Sequence, residues 1–201
     1  METIILKKLW LYSGLGGVLI LISGVVWAMR RAHLGLIDPR PISYLGLYSN
    51  TKLIFSVSLI VSALLFIIFG LYVARIYRVR RLFLACYIIG QICQIIVAVI
   101  PDRSGSSLKI VHTVAGFTLA VSLPFLMREL VYQKHRRSFD RRLFVILYRL
   151  EQIMFVIGIG LFVSVKGIAP LGEALPTIGF DSWVLCTTFI IDKVIKRDSR
   201  L

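Results

Sequence analysis

Six stretches of mostly apolar residues, divided by basic connectors, constrain this chain more than any other feature. A bilayer's hydrocarbon core is about 30 Å thick, so a helix rising about 1.5 Å per residue needs about 20 such residues to cross it. The stretches run approximately over residues 9–29, 53–74, 82–100, 110–127, 143–165 and 174–193, the fourth holding Pro124 and able to continue past Arg128 as a kinked helix, the last with Pro176 in its first turn. Apolar residues make up 58% of the 201-residue chain and charged residues only 17%, which leaves too little polar surface for a water-soluble domain. The expected fold is all-α: a single polytopic transmembrane bundle of six helices spanning residues 1–201. Disorder, a disulfide scaffold and a nucleic-acid domain with an added anchor are all excluded by the same shortage of polar sequence.

The net charge of +14 has its first explanation in topology rather than in nucleic acid. With six crossings both termini share a side, and that side carries 16 of the 24 Lys and Arg, among them Lys7, Lys8, Arg75, Arg78, Arg80 and Arg81. The cluster from Arg128 to Arg142 and the tail from Lys193 to Arg200 fall there too. The positive-inside rule makes that side, and both termini, cytoplasmic. The same basic loops suit anionic lipid headgroups. No basic face interleaved with aromatics supports nucleic-acid binding. The first stretch is too long for a cleaved signal and is expected to remain as an anchor.

Connectors are short except the first, residues 30–52, whose Asp38-Pro39-Arg40-Pro41 and following Tyr44 and Tyr48 suit an interfacial cap over the bundle. Small residues should mark helix contacts, because apolar area alone gives no preference for helix over lipid. Ser13 with Gly17 and Gly160 with Ser164 have four-residue spacing, with Gly14, Gly16, Gly24 and Gly158 beside them. Cys86, Cys93 and Cys186 lie in apolar runs and are expected to be plain core residues.

An ionisable group at the bilayer centre costs about 2.5–3.5 kcal/mol on insertion scales, so each one inside a span needs a reason. Glu151 is the candidate intramembrane carboxylate, about a third of the way in from the cytoplasm, facing the bundle with Tyr148, Gln152 or a cation as partner. Arg149 is expected to point elsewhere and to snorkel. Toward the outer face, His112 opens the fourth helix, Asp102 precedes it, and Asp181 enters the sixth. Tyr87, Gln91 and Gln94 form one stripe on the third helix, aimed at Asp102. These six residues make a candidate outward polar pocket.

No His-x-x-x-His or Cys-x-x-Cys spacing supports a metal, and His112 and His135 stand about 34 Å apart along a helical stretch, too far to clamp one haem. Neither a metal nor another cofactor is expected, and no nucleophile elbow or phosphate loop is present in the sequence.

Pro101-Asp102, nine residues, then His112-Thr113-Val114-Ala115-Gly116-Phe117 at the head of the fourth of six helices resembles the Frag/DRAM/Sfk-type six-pass membrane proteins and their uncharacterised prokaryotic relatives. The topology match extends over nearly the whole chain, the motif over about 17 residues. The resemblance implies a six-helix membrane protein related to eukaryotic proteins of lipid remodelling or membrane trafficking, with Asp102 and His112 as the residues to test. The plasma (inner) membrane of a prokaryote is the expected location. Three activities fit: handling or sensing a lipid headgroup or small polar molecule in the outer pocket, proton- or ion-coupled transport through Glu151 and Asp181, and membrane-embedded lipid modification dependent on His112. The oligomeric state is left open by the sequence.

Overall fold

The computed structural model describes residues 4–100, 107–132, 138–164 and 167–198. Its elements are α1 (Ile4–Arg31), a short 3-10 helix (Ile42–Gly46), α2 (Lys52–Tyr77), α3 (Arg81–Val99), α4 (Ser107–Tyr132), α5 (Ser138–Ser164) and α6 (Ala169–Asp198), with no strand among the described residues. All six α-helices are long and apolar enough to cross a membrane. This is an integral, multi-pass membrane architecture, in which the backbone satisfies its own hydrogen bonds where no water can.

The helices outrun the apolar stretches at their polar ends. Expected to begin at residue 174, α6 starts at Ala169, so Pro176 lies inside the helix rather than in its first turn. The reason is tertiary. The Ala169 N–H donates to the Asp38 carbonyl at 3.2 Å, and the Gly172 backbone lies against Gly158 of α5. As the sequence allowed, α4 runs through Pro124 and past Arg128, to Tyr132, whereas α5 starts at Ser138 rather than near residue 143.

Two helices end on left-handed residues other than glycine. His33 (φ 51°) follows α1 and Arg78 (φ 49°) follows α2. The Leu34 N–H reaches back to Met29 O at 2.9 Å and the Val79 N–H to Ala74 O at 3.0 Å, satisfying carbonyls that each helix end leaves open. The sharp turn at Arg78 brings α3 directly back beside α2.

The helices form a closed ring: α1 packs on α2, α2 on α3, α3 on α4, α4 on α5, α5 on α6, and α6 returns to α1. The face carrying both chain ends is called here the terminal face. At the centre, aromatic rings from three helices interlock, with Phe66 edge-on to Phe180 at 5.1 Å, Phe69 edge-on to Trp183 at 6.0 Å, and Tyr87 6.3 Å from Phe180. Glycines of α1 admit these rings: a Cβ at Gly14 or Gly17 would overlap Phe69 or Phe66 of α2. Gly24 meets Ser58 and Gly158 meets Gly172 and Pro176 in the same way. Gly160 differs from the expectation, since nothing lies within 4 Å of its Cβ position. Two residues turn a helix by about 200°, so with Gly158 against α6, Gly160 must face lipid. The three cysteines are free, Cys93 buried and the other two half-buried.

The first connector caps the face opposite the termini. Its 3-10 helix buries Leu45 and Gly46, and Ser43 donates both its N–H and its hydroxyl to the two Glu173 carboxylate oxygens of α6, each at 3.1 Å. Asp38 accepts from the Arg40 N–H, Nε and Nη2 at 2.8–2.9 Å, while Arg40 Nη1 donates to the Tyr48 hydroxyl. The hydrogen bonds from the Arg40 side chain, and then from its backbone, hold the Asp38 carboxyl down from 3.8 to about 2. A lowered value means that the contact stabilises the cap above the unfolded value and is lost as pH falls through the folded one. Hydrogen-exchange protection of the Ala169 amide, corrected for its intrinsic rate, is therefore expected to hold at neutral pH and to drop between about pH 4 and pH 2. Constant protection across that interval would separate the cap from the Asp38 contact.

Candidate functional site

Among the residues singled out from sequence, the stripe on α3 turns toward α2. The Tyr87 hydroxyl donates to the Phe66 carbonyl at 2.8 Å, and Gln94 Nε2 donates to the Leu59 carbonyl at 3.0 Å and to the Ser62 hydroxyl at 2.8 Å. Between them Gln91 is fully buried, and neither atom of its amide has a partner among the described residues. Interhelical hydrogen bonds within membranes average about 0.6 kcal/mol with a maximum near 1.7, so Gln94→Leu is expected to cost about 1 kcal/mol in reversible unfolding in detergent micelles. A neutral result would remove Gln94 as a lock between α2 and α3.

His112, 7% exposed, lies at the end of the bundle opposite the termini, its Nδ1 2.5 Å from the Ile100 carbonyl. That contact ties the start of α4 to the end of α3. Asp102 lies outside the described residues, as does His135. Tyr87 and Gln94 are thus committed to α2, and His112 to the α3 terminus.

Asp181 and Glu151 have another setting. Asp181 is midway along the span Ala169–Lys193, deeper than an outer-half position, and Glu151 is midway along α5 because that helix begins five residues before the expected start. A Cβ on Gly179 would sit 3.1 Å from the Glu151 Cα, so Glu151 abuts α6 two residues from Asp181, which is a difference in depth of about 3 Å at helical rise. Both are buried, at 2% and 4% exposure, and Glu151 Oε2 and Asp181 Oδ1 have no hydrogen-bond partner among the described residues. Gln152, a possible partner of Glu151 from sequence, donates instead to the Tyr148 hydroxyl at 3.0 Å.

The two carboxyls approach α6 from different sides. Gly179 faces α5, and Asp181, about 200° further round, shares a face with Thr188 and Asp192 at spacings of seven and four. Near the terminal face Asp192 pairs with Lys196 at 2.5 Å and also interacts with Tyr12 of α1. A polar stripe therefore descends α6 from mid-depth to the terminal face. Thr187 and Trp183, about 120–160° away around α6 and so on its other side, hold a hydroxyl and an indole N–H that are buried without partners among the described residues. Thr187 and Trp183 were not legible as site residues in the sequence, because an isolated Thr or Trp in an apolar run carries no signal until its neighbours are known.

Arg80 and Glu129 form a two-pronged ion pair at 2.9 and 2.8 Å, with the guanidinium also 4.6 Å from the Phe83 ring. It fastens the α2–α3 turn to α4 and leaves Glu129 fully engaged. No group of three His, Cys, Asp or Glu side chains suited to a metal forms among the described residues.

A ring of six membrane-length helices with a layer of unpartnered polar atoms at mid-depth defines the class: a polytopic α-helical membrane protein. Beyond the class, no family model, curated protein or solved structure matches the chain.

Proposed function

We propose that this membrane protein is a proton-coupled carrier in which Glu151 and Asp181 take up and release protons during the transport cycle. The observation that supports this most is their common depth: two buried carboxyls, each with an unpartnered oxygen, within about 3 Å of the same level in the bilayer. A carboxyl in hydrocarbon requires either a cation or a proton, and no cationic side chain pairs with either one among the described residues. The stripe Asp181, Thr188 and Asp192 gives protons a polar descent to the terminal face, which the distribution of basic residues assigns to the cytoplasm.

Labelling with dicyclohexylcarbodiimide tests the reading without knowledge of the cargo. This apolar reagent adds to protonated carboxyls reached through the membrane, and peptides containing Glu151 and Asp181 should gain the reagent's mass in proteoliposomes while Glu129, bound by Arg80, does not. An absence of label at both positions would leave the carboxyls sealed and the proposal without its proton sites.

A second reading follows from the resemblance to Frag/DRAM/Sfk-type proteins: recognition of a lipid headgroup or small polar molecule, or lipid modification, near His112 and Asp102. The burial of the His112 ring beside the α3 terminus favours keeping it. His112→Gln, which retains a polar group, should then abolish binding or turnover while leaving the folded fraction intact. Loss of folding alone would give His112 a structural role.

A further inference from the structure

Arg149 lies where a membrane protein rarely leaves a cation, and Arg128 stands near the hydrocarbon boundary on the adjoining helix. Both are inside spans, and both side chains are exposed on the outside of the ring, toward lipid. Arg149 is eight residues beyond Arg141, where its span begins, or about 12 Å of helix, against a hydrocarbon half-thickness of about 15 Å. Arg128 is four residues from the end of its span, about 6 Å. Neither has an acidic partner among the described residues: Glu129 is taken by Arg80, and Glu151 is buried on the side of α5 that meets α6.

The two arginines stand on helices that pack against each other, α4 and α5. Tyr148 of α5 interacts electrostatically with Arg128 and Tyr132 of α4, the Arg128 guanidinium stands 5.7 Å from the Tyr132 ring, and the Tyr148 hydroxyl accepts from Gln152. Gln152 in turn lines an open groove of about 370 Å³ with Arg149, Ile153, Val156 and Ile157. The groove is polar at its end nearer the terminal face and apolar from Ile153 onward, toward the bilayer centre and beyond. That polarity has the sense of a lipid: charge at the head, hydrocarbon below.

We propose that the α4–α5 surface is a binding site for an anionic glycerophospholipid of the leaflet on the terminal face, with its phosphate held by Arg128 and Arg149 and an acyl chain laid along Ile153, Val156 and Ile157. Guanidinium forks match phosphate oxygens in pairs, and the exchange of lipid tail for an anion removes the cost of leaving Arg149 in hydrocarbon. Tyr132, Tyr148 and Gln152 supply further polar groups around the headgroup. The site does not rest on the proton-carrier reading: it lies on the lipid side of α5, and although Tyr148 also interacts electrostatically with Glu151, neither Glu151 nor Asp181 holds the lipid.

The full chain, purified in a neutral detergent and examined by native mass spectrometry after addition of equal phosphatidylglycerol and phosphatidylcholine, should retain phosphatidylglycerol. Arg128→Gln and Arg149→Gln should each lower that retention about fivefold, as loss of one basic contact to an anionic lipid predicts, and the double variant should lose the preference. Lys109→Gln, exposed at the opposite end of the bundle, should leave it unchanged. A measurement on the unaltered protein guards against variants that fail to fold: phosphatidylglycerol should raise the melting temperature, whereas phosphatidylcholine and water-soluble glycerol phosphate should not. Equal retention of both lipids, stabilisation by glycerol phosphate, wild-type retention by Arg149→Gln, or a second copy of the chain occupying the groove in cross-linking would each overturn the proposal.

Discussion

Gly158→Leu is expected to destabilise the protein by about 3 kcal/mol and to separate α5 from α6, because the added side chain has nowhere to go. A Cβ at this position would lie 2.7 Å from the Gly172 carbonyl oxygen and 2.8 Å from Pro176 Cδ. The first is backbone and the second a rigid ring inside a helix, so neither yields by a rotamer change. In lipid, helix association depends on such close approach. The separation would extend to Gly179 and Glu151, which meet on the same helix pair two turns nearer the terminal face. Gly160→Leu supplies the internal contrast. Its Cβ meets open space, so the same substitution two residues away is expected to shift stability by no more than about 0.5 kcal/mol. Unfolding in mixed micelles followed by circular dichroism measures both; equal losses would refute the assigned faces of α5.

Glu151→Gln and Asp181→Asn should each reduce proton flux through reconstituted vesicles by at least about tenfold, since each replaces a proton-binding group with a near-isosteric amide. The assay follows an internal pH dye in vesicles that carry an imposed gradient. Neither carboxyl oxygen singled out above makes a hydrogen bond that the substitution would break, so the folded fraction should stay close to wild type. That separation of flux from folding is what a purely structural carboxyl would fail to produce. Asp192→Asn should have a smaller effect, because Asp192 is close to the terminal face and paired with Lys196, where water can substitute for it. If both central variants carried wild-type flux, the carrier proposal would be lost, while the lipid site on α4–α5 would be untouched.

The six helices and their order were legible because each apolar run is long enough to span hydrocarbon, a property local to the run. Helix ends were less legible. Residues 169–173 have too little hydropathy to announce a helix, and α6 includes them because Asp38, Ser43 and Gly158 meet them from distant parts of the chain. The site was legible as residue types and less so as an arrangement. Spacing on α3 put Tyr87, Gln91 and Gln94 on one stripe, but periodicity cannot say which neighbour the stripe meets, and Tyr87 and Gln94 bond to α2. Depth estimates depended on helix ends, so Glu151 and Asp181 emerged at one level only once α5 and α6 were extended. Arg149 was readable as a residue pointing away from the bundle; its proximity to the Tyr148–Gln152 pair beside Arg128 depends on how α4 leans on α5.

The two bonds from Ser43 to Glu173 join positions 130 residues apart. During synthesis from the N-terminus, the loop after α1 is complete long before its partner leaves the ribosome. The earliest hairpin must therefore wait with an open donor pair until the last helix enters the bilayer, and a chain halted after α5 would present an unlatched, incompletely closed assembly to membrane quality-control proteases.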